Sequence, residues 1–103
     1  LVLCQGTVIY KRGEFEMPGF EKVVDVNLNS LMACALRCHD MLKAAKGAII
    51  TISSTAGFHS TMGNPAYAAS KAGAVGLTRT LAVAWARDGI RVNGIAPGLV
   101  DTK

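Results

Sequence analysis

Apolar residues follow a helical rhythm in the first half of the chain and form a strand-like run near its middle. From Gly19 to about Ala45 they recur every three or four positions, which predicts an amphipathic helix with Gly47 as its stop. The segment that follows, Ala48 to Ile52, is a continuous apolar run rich in β-branched side chains. Such a run is typical of a strand covered on both faces, as in a parallel sheet.

The second half of the chain predicts one long helix. After a polar, glycine-bearing loop from Ser53 to Gly63, the pair Asn64-Pro65 has the residue types of an N-cap and a first helical residue. The helix is expected to continue to Trp85 or Arg87 and to end at Asp88-Gly89.

Two further strands complete the predicted order of elements. Ile90 to Ala96 (IRVNGIA) is one of them, broken by Pro97-Gly98, and Leu1 to Cys4 is the other. Strand, helix and strand in succession form a βαβ unit with parallel strands and a right-handed crossover. The predicted fold class is therefore α/β, an incomplete β-α-β-α-β portion of an open parallel sheet.

Composition indicates that this unit belongs to a larger body. Half of the 103 residues are hydrophobic and 17% are charged, against about 25% charged residues in typical soluble domains. A small domain has a large surface for its volume and should be more polar than average. We therefore expect residues 1–103 to form a single partial domain, or a protomer buried in an oligomer.

Charge and cysteine content argue against several classes of function. No apolar run is long enough to span a membrane, and no basic segment precedes an apolar stretch as in a signal peptide. The net charge is +4, but the basic residues are dispersed along the chain, which argues against nucleic-acid binding.

The three cysteines, Cys4, Cys34 and Cys38, are odd in number. Cys34, Cys38 and His39 could suggest a metal site, but no fourth ligand follows at zinc-like spacing, so no metal is expected. We expect reduced thiols and a cytoplasmic protein.

Side chains that could take part in binding or catalysis lie where such a sheet binds ligands. Ligands of open parallel sheets lie beyond the carboxyl ends of the strands. Ser53-Ser54 follows one predicted strand, and Pro97-Gly98 follows another. Tyr67 and Lys71 lie one turn apart on the same face of the intervening helix, near its N-terminal end. The spacing predicts that a hydroxyl, a phenol, an ammonium and a glycine turn share one rim.

This group of side chains suits proton exchange with an alcohol or carbonyl oxygen. An ammonium beside a phenol favours the phenolate, so Tyr67 could act as acid and base while Ser54 hydrogen-bonds the same oxygen. No side chain can accept a hydride, so a nicotinamide cofactor is required. Tyr67 and Lys71 also have an ordinary interpretation, as a core aromatic and a solvated charge. However, a lysine on a largely apolar face of a helix is unusual, and its position needs a structural or functional explanation.

Asn27 presents the same choice. It lies in mid-helix on the apolar stripe of Phe20, Val24 and Leu28, where asparagine is a poor helix former. A buried amide needs hydrogen-bond partners. Asn27 is either such a buried amide or the cap of a second helix that begins near Leu28, and the pattern leaves both interpretations open.

Several segments taken together resemble the short-chain dehydrogenase/reductase family. Ser54, Tyr67 and Lys71 match its catalytic set, with thirteen positions from the serine to the tyrosine. VVDVNLNS matches the segment with the family's catalytic asparagine, at Asn27. ITISSTAG, NPAYAASKAGAVGLTRTLA and IRVNGIAPGLVDT match further blocks in the right order. The likeness covers nearly the whole chain and is nearest to 3-oxoacyl-carrier-protein reductases and to sugar or polyol dehydrogenases.

The resemblance implies a Rossmann-type doubly wound fold and a role for each matching residue. Tyr67 would be the general acid and base, and Lys71 would assist it and bind the nicotinamide ribose. Ser54 would polarise the oxygen of a small alcohol or ketone substrate, and Asn27 would hold a water in the proton relay. Contacts to the cofactor, NAD or NADP, are expected at Tyr67, Lys71, Pro97, Gly98, Val100 and Thr102. A homodimer or homotetramer is expected through the two long helices.

The chain departs from the family pattern at its beginning and its end. It has no glycine-rich turn of the kind that cradles the pyrophosphate, and Leu3-Cys4-Gln5-Gly6 stands where the family has N-N-A-G. We therefore expect a fragment of an NAD(P)-dependent alcohol/ketone oxidoreductase, the catalytic portion without the cofactor-binding portion, inactive by itself. The alternative is a catalytically inactive truncated relative that acts only in subunit or partner association. Sugar-nucleotide epimerases, which share Y-x-x-x-K, and enoyl reductases fit less well.

Overall fold

A three-stranded parallel sheet organises the part of the chain that the structure describes. The computed structural model describes residues 1–99. Its strands are β1 (Val2–Leu3), β2 (Ala48–Ile52) and β3 (Arg91–Ile95), in the spatial order β1-β2-β3. Both neighbouring pairs run parallel. The predicted α/β class, with its alternation of strands and helices, is confirmed.

The helical segment before β2 is broken in two, although the sequence predicts one helix from Gly19 to Ala45. Helix α1 (Met17–Val24) and helix α2 (Ser30–Ala45) are joined by a π-helical turn, Asp25–Asn29. A π-helical turn inserts an extra residue and shifts the register of the side chains that follow it. The prediction of one continuous helix with a single apolar stripe is therefore wrong at the centre of the segment, where Asn27 lies.

Helix α2 ends one residue earlier than its predicted glycine stop. Lys46 takes the left-handed conformation, with φ of 50°, and the Gly47 N–H donates to the Leu42 carbonyl at 2.9 Å. The left-handed cap is therefore on a lysine, and Gly47 provides only the closing hydrogen bond.

Helix α3 (Pro65–Ala84) begins where the sequence predicts, with Asn64 in the N-cap position and Pro65 at the first turn. After α3 the chain makes a 3₁₀ turn at Ala86–Asp88, and Gly89 closes it with φ of 77°. A positive φ of this size favours glycine because it carries no Cβ. Among residues 1–99, neither α3 nor any other helix is long and apolar enough to cross a membrane.

Helices α2 and α3 cover one face of the sheet and form the core with it. Successive crossovers of the same hand place both helices on the same side. The buried core comprises Leu3, Leu31, Ala35, Leu42, Ile49, Ala74, Leu81, Ile90 and Val92. The other face carries Val2 and Ile95, which are 57% and 54% exposed. The expectation that β2 is covered on both faces is therefore wrong for the described residues, which supply helices to one face only.

Candidate active site

Tyr67 and Lys71 lie in the first two turns of α3, beside the carboxyl end of β2. The Lys71 Nζ donates to the carbonyl of Ile52, the last residue of β2, at 3.1 Å. It also lies 5.6 Å from the centre of the Tyr67 ring. Lys71 is only 5% exposed, and this burial lowers the pKa of its ammonium below the ordinary value of 10.5. The lysine is thus held inside the protein, and its interpretation as a solvated helix charge is wrong.

Asn27 is a buried amide and not a helix cap. It lies in the π-helical turn, is 1% exposed, and pairs with the backbone of a single residue, Thr7. Its Oδ1 accepts from the Thr7 N–H at 2.7 Å, and its Nδ2 donates to the Thr7 carbonyl at 2.8 Å. Helix α2 begins only at Ser30, so Asn27 does not cap it. The paired amide instead fixes the chain segment that follows β1.

Gly6 brings that segment close to both Asn27 and Lys71. A Cβ placed on Gly6 would lie 3.4 Å from the Lys71 Nζ and 3.8 Å from the Asn27 Oδ1. The absence of a side chain at this position therefore leaves open the space directly in front of the ammonium. Asn27, Lys71 and Tyr67 are consequently neighbours in the region between the end of β1 and the start of α3.

Ser54 lies at the same edge of the sheet, immediately after β2. Its Oγ accepts from the Ala56 N–H at 3.1 Å and caps a 3₁₀ turn, Thr55–Gly57. That turn rests on the backbone of α3, because a Cβ on Gly57 would lie 2.9 Å from the carbonyl of Lys71. Within the described residues, the hydroxyl hydrogens of Ser54 and Tyr67 have no acceptor at hydrogen-bond distance, so the structure leaves both free to meet a ligand.

Pro97 and Gly98 approach this edge from β3. The Thr55 N–H donates to the Pro97 carbonyl at 3.1 Å, and a Cβ on Gly98 would lie 3.5 Å from the Thr55 Cγ2. Both residues therefore lie next to the turn that carries Ser54. The two other residues expected to contact the cofactor, Val100 and Thr102, lie outside the described residues.

Glu14 is a member of the site that the sequence does not reveal. It is 1% exposed, and its Oε1 accepts from the Tyr67 N–H at 2.8 Å. In the sequence it is one of two glutamates before α1, and its spacing matches no local motif. The Asn64-Pro65 pair is the only sequence feature that points to such an acceptor. It marks the start of a helix, whose first N–H groups have no partner within the helix and need an acceptor from elsewhere.

The comparison with known protein families agrees with this geometry. The model of the family described as short chain dehydrogenase matches residues 2–103. The chain belongs to the short-chain dehydrogenase family. The family expected from the motifs is therefore confirmed.

Curated relatives come from both branches that the motifs indicate. The chain is 43% identical over 93 residues to the 2-dehydro-3-deoxy-D-gluconate 5-dehydrogenase of Bacillus subtilis, covering 89% of this chain and 37% of that enzyme. It is 42% identical over 84 residues to the 3-oxoacyl-[acyl-carrier-protein] reductase of Chlamydia muridarum, covering 81% of this chain and 34% of that enzyme. The chain thus spans little more than a third of either relative.

Solved structures of the family have the same arrangement of elements. A 4-hydroxyisoleucine dehydrogenase complexed with NADH and succinate matches with a TM-score of 0.88 and 31% identity, over 99% of this chain and 51% of that one. A putative 2-deoxy-D-gluconate 3-dehydrogenase from Agrobacterium tumefaciens with bound NADP matches with a TM-score of 0.89 and 36% identity, over 98% of this chain and 42% of that one. Members of this family therefore hold a nicotinamide dinucleotide on a fold that includes the present one.

Proposed function

We propose that the chain carries the proton-transfer part of an NAD(P)-dependent oxidoreductase that interconverts a small alcohol and a ketone. The observation that carries this proposal is the buried ammonium of Lys71 beside the Tyr67 ring. Among residues 1–99 the Lys71 Nζ bonds to a carbonyl, and no carboxylate lies within salt-bridge distance. Burial disfavours a charged group that has no counter-ion, so such a group opposes folding. Perturbed groups of this kind cluster at functional sites.

Tyr67 is the proposed acid and base. Its hydroxyl exchanges a proton with the substrate oxygen, and the Lys71 ammonium stabilises the negative charge that develops during the exchange. The Ser54 hydroxyl donates to the same substrate oxygen. Its Oγ is already oriented by the Ala56 N–H, so it need not reorganise when the substrate arrives.

Asn27 is the proposed holder of a water that connects Lys71 with solvent. One hydrogen and one lone pair of its amide are committed to Thr7, which leaves one of each for a water. The open space at Gly6, between the Asn27 amide and the Lys71 ammonium, is where such a water fits.

The rim also fits the nicotinamide half of a dinucleotide. Gly6 places no side chain beside the Lys71 ammonium, and Gly98 offers backbone without a side chain beside Thr55. Tyr67 and Lys71 are proposed to bind the ribose, Pro97 and Gly98 to border the ring, and Val100 and Thr102 to meet the carboxamide. When bound, this cofactor supplies the hydride acceptor or donor that no side chain provides.

Residues 1–103 are proposed to be the catalytic portion of a Rossmann-type domain whose pyrophosphate-binding portion lies outside them. The apolar sheet face that the described residues leave exposed supports this view. A groove between the two long helices, lined by Leu28, Met32, Gly73 and Gly76, supports assembly into a dimer or tetramer. A Cβ on Gly73 would lie 2.7 Å from a methyl group of Leu28, so the Leu28 side chain packs directly against α3 at this glycine. The three free thiols support a cytoplasmic location.

Replacement of the phenol tests the proposal in the protein expressed from its complete reading frame. Tyr67→Phe is expected to lower kcat by about a thousandfold, because general acid-base catalysis contributes factors of this order. Binding of NADH or NADPH, followed by fluorescence, is expected to weaken by at most about tenfold, because only one hydrogen bond to the ribose is lost. Tyr10→Phe is the matched control, because Tyr10 is an exposed tyrosine. Retained turnover in Tyr67→Phe would remove Tyr67 from its role. An unmodified protein that turns over no alcohol or ketone with either cofactor would favour the inactive relative.

A further inference from the structure

Glu14 is a buried carboxylate that accepts hydrogen bonds from two other segments of the chain, the loop at Ile9 and the start of α3. Its Oε1 accepts from the Tyr67 N–H at 2.8 Å, and its Oε2 accepts from the Ile9 N–H at 3.0 Å and from the Asn64 Nδ2 at 3.2 Å. Within residues 1–99 no cation lies at salt-bridge distance from it. Three N–H donors therefore compensate for the water that this buried anion has lost.

This carboxylate caps α3 in place of the helix's own N-cap residue. The Asn64 side chain makes no capping bond, and its Nδ2 donates instead to the Ile9 carbonyl at 3.1 Å and to Glu14. Pro65 has no N–H, and Tyr67 occupies the third helical position, whose N–H a side-chain cap usually satisfies. An anion at this end is also favoured by the helix dipole. The backbone of Tyr67 is thus fixed by an acid 53 positions earlier in the sequence.

Glu14 also fixes a strained turn. Lys11 and Arg12 are consecutive non-glycine residues with φ of 56° and 61°. The left-handed conformation is unfavourable for such residues, because their Cβ crowds the following carbonyl oxygen. Strain of this kind persists only where the surroundings determine the backbone. The bond from the Ile9 N–H to Glu14 closes the base of this turn, and the Gly13 N–H closes its tip on the Tyr10 carbonyl at 3.2 Å.

The same loop also contacts Asn27. Thr7, two positions before Ile9, makes both backbone bonds to the Asn27 amide. Glu14 therefore connects the turn that carries Tyr67 to the segment that carries Gly6 and orients Asn27. We propose that Glu14 is a positioning residue that fixes the Tyr67 phenol relative to Asn27 and Lys71. This inference rests on the proposed proton-transfer role of Tyr67.

Glu14→Gln tests the proposal, with Glu16→Gln as the matched control because Glu16 is an exposed carboxylate nearby. Glutamine has one acceptor oxygen, so it cannot accept from the Tyr67 N–H and also from the Ile9 N–H and the Asn64 Nδ2. In the protein expressed from its complete reading frame, kcat per folded molecule is expected to fall on the order of tenfold, since a misplaced reacting group lowers rate steeply. The KM for the alcohol is expected to stay within about twofold, since Glu14 does not line the substrate's oxygen site.

Amide hydrogen exchange provides a readout independent of turnover. The Tyr67 N–H is expected to exchange on the order of tenfold faster in Glu14→Gln and at the original rate in Glu16→Gln. If Glu14→Gln does not fold, Glu14→Asp keeps the buried charge but withdraws it from the Tyr67 N–H, and the same fall in kcat is expected.

Three outcomes would overturn the positioning role. They are an unchanged kcat per folded molecule, a change confined to KM, and an unchanged Tyr67 exchange rate. Absence of turnover in the unmodified protein would instead refute the proposed function, and the exchange rate would still decide whether Glu14 holds the Tyr67 backbone.

Discussion

The two ends of α3 hold their polar groups in opposite ways. At the Tyr67 end, Glu14, Asn27 and Lys71 are almost fully buried, and each bonds to backbone atoms from a distant part of the sequence. At the far end, His39 on α2 meets Asp88 in the turn after α3, with 3.0 Å between Nε2 and Oδ2. That pair is solvent-accessible, and its bonds join one side chain to another.

Under the proposed function, the buried groups serve proton transfer, whereas the exposed pair serves stability. The far end follows the common pattern of a surface ion pair, in which water screens the charges and each pair contributes little. It is supported by an edge contact between the His39 and Trp85 rings, whose centres lie 4.7 Å apart. The Tyr67 end instead keeps a cation and an anion out of water, which opposes folding unless every hydrogen bond is made. Only a site that needs these charges in fixed positions gains from such an arrangement.

The largest expected effect on stability comes from disturbing the contact between the Ser54 turn and α3. In Gly57→Ala the new Cβ would lie 2.9 Å from the Lys71 backbone, which cannot move independently of the helix. Overpacking of this kind destabilises by about 1–3 kcal/mol. The midpoint of urea unfolding is expected to fall accordingly, together with kcat, because Ser54 moves with the turn. Gly63→Ala is the control, since nothing lies within 4 Å of a Cβ at that position. Equal midpoints for the two variants would show that the turn does not rest on the helix.

A smaller, pH-dependent effect is expected at the far end. The hydrogen bond to Asp88, with a second one to Asp40, raises the pKa of His39 above its ordinary value of 6.5. A raised pKa means that the folded state binds more protons than the unfolded state. The stabilisation is therefore complete below about pH 6.5 and is lost as the pH rises through the raised pKa.

Urea unfolding across this pH range measures the effect. His39→Gln is expected to remove this part of the pH dependence, whereas His59→Gln, whose ring meets only the Ser60 carbonyl, should leave it in place. A His39→Gln protein with the same pH dependence as the unmodified one would show that the pair with Asp88 does not contribute to stability.

Local patterns in the sequence predict the secondary-structure elements that carry the candidate site. The βαβ order follows from apolar runs and from glycine and proline breaks, and the start of α3 follows from Asn64-Pro65. The common face of Tyr67 and Lys71 follows from helical spacing alone, and the apolar stripe indicates that Lys71 needs a special environment. Each of these features depends on residues that are neighbours in the sequence.

The remaining features depend on contacts between distant segments and leave no pattern in the sequence. Asn27 pairs with backbone atoms of Thr7, and any residue other than proline offers the same N–H and carbonyl. Glu14 contacts α3 at Tyr67, 53 positions later in the sequence, and the π-helical turn shifts Asn27 out of the expected register. The exposed face of the sheet was not predictable either, because apolar strand residues do not show which elements cover them.

The titration of the Lys71 side chain tests the central claim most directly. Nuclear magnetic resonance of its ε-carbon, assigned by the signal missing in Lys71→Met, gives the pH at which the ammonium loses its proton. The account predicts a midpoint below the ordinary lysine value of 10.5, because the ammonium is buried against β2 and away from water. A midpoint at or above that value would mean that the charge is fully hydrated or paired elsewhere, and it would contradict a buried site in which a cation assists the Tyr67 phenol.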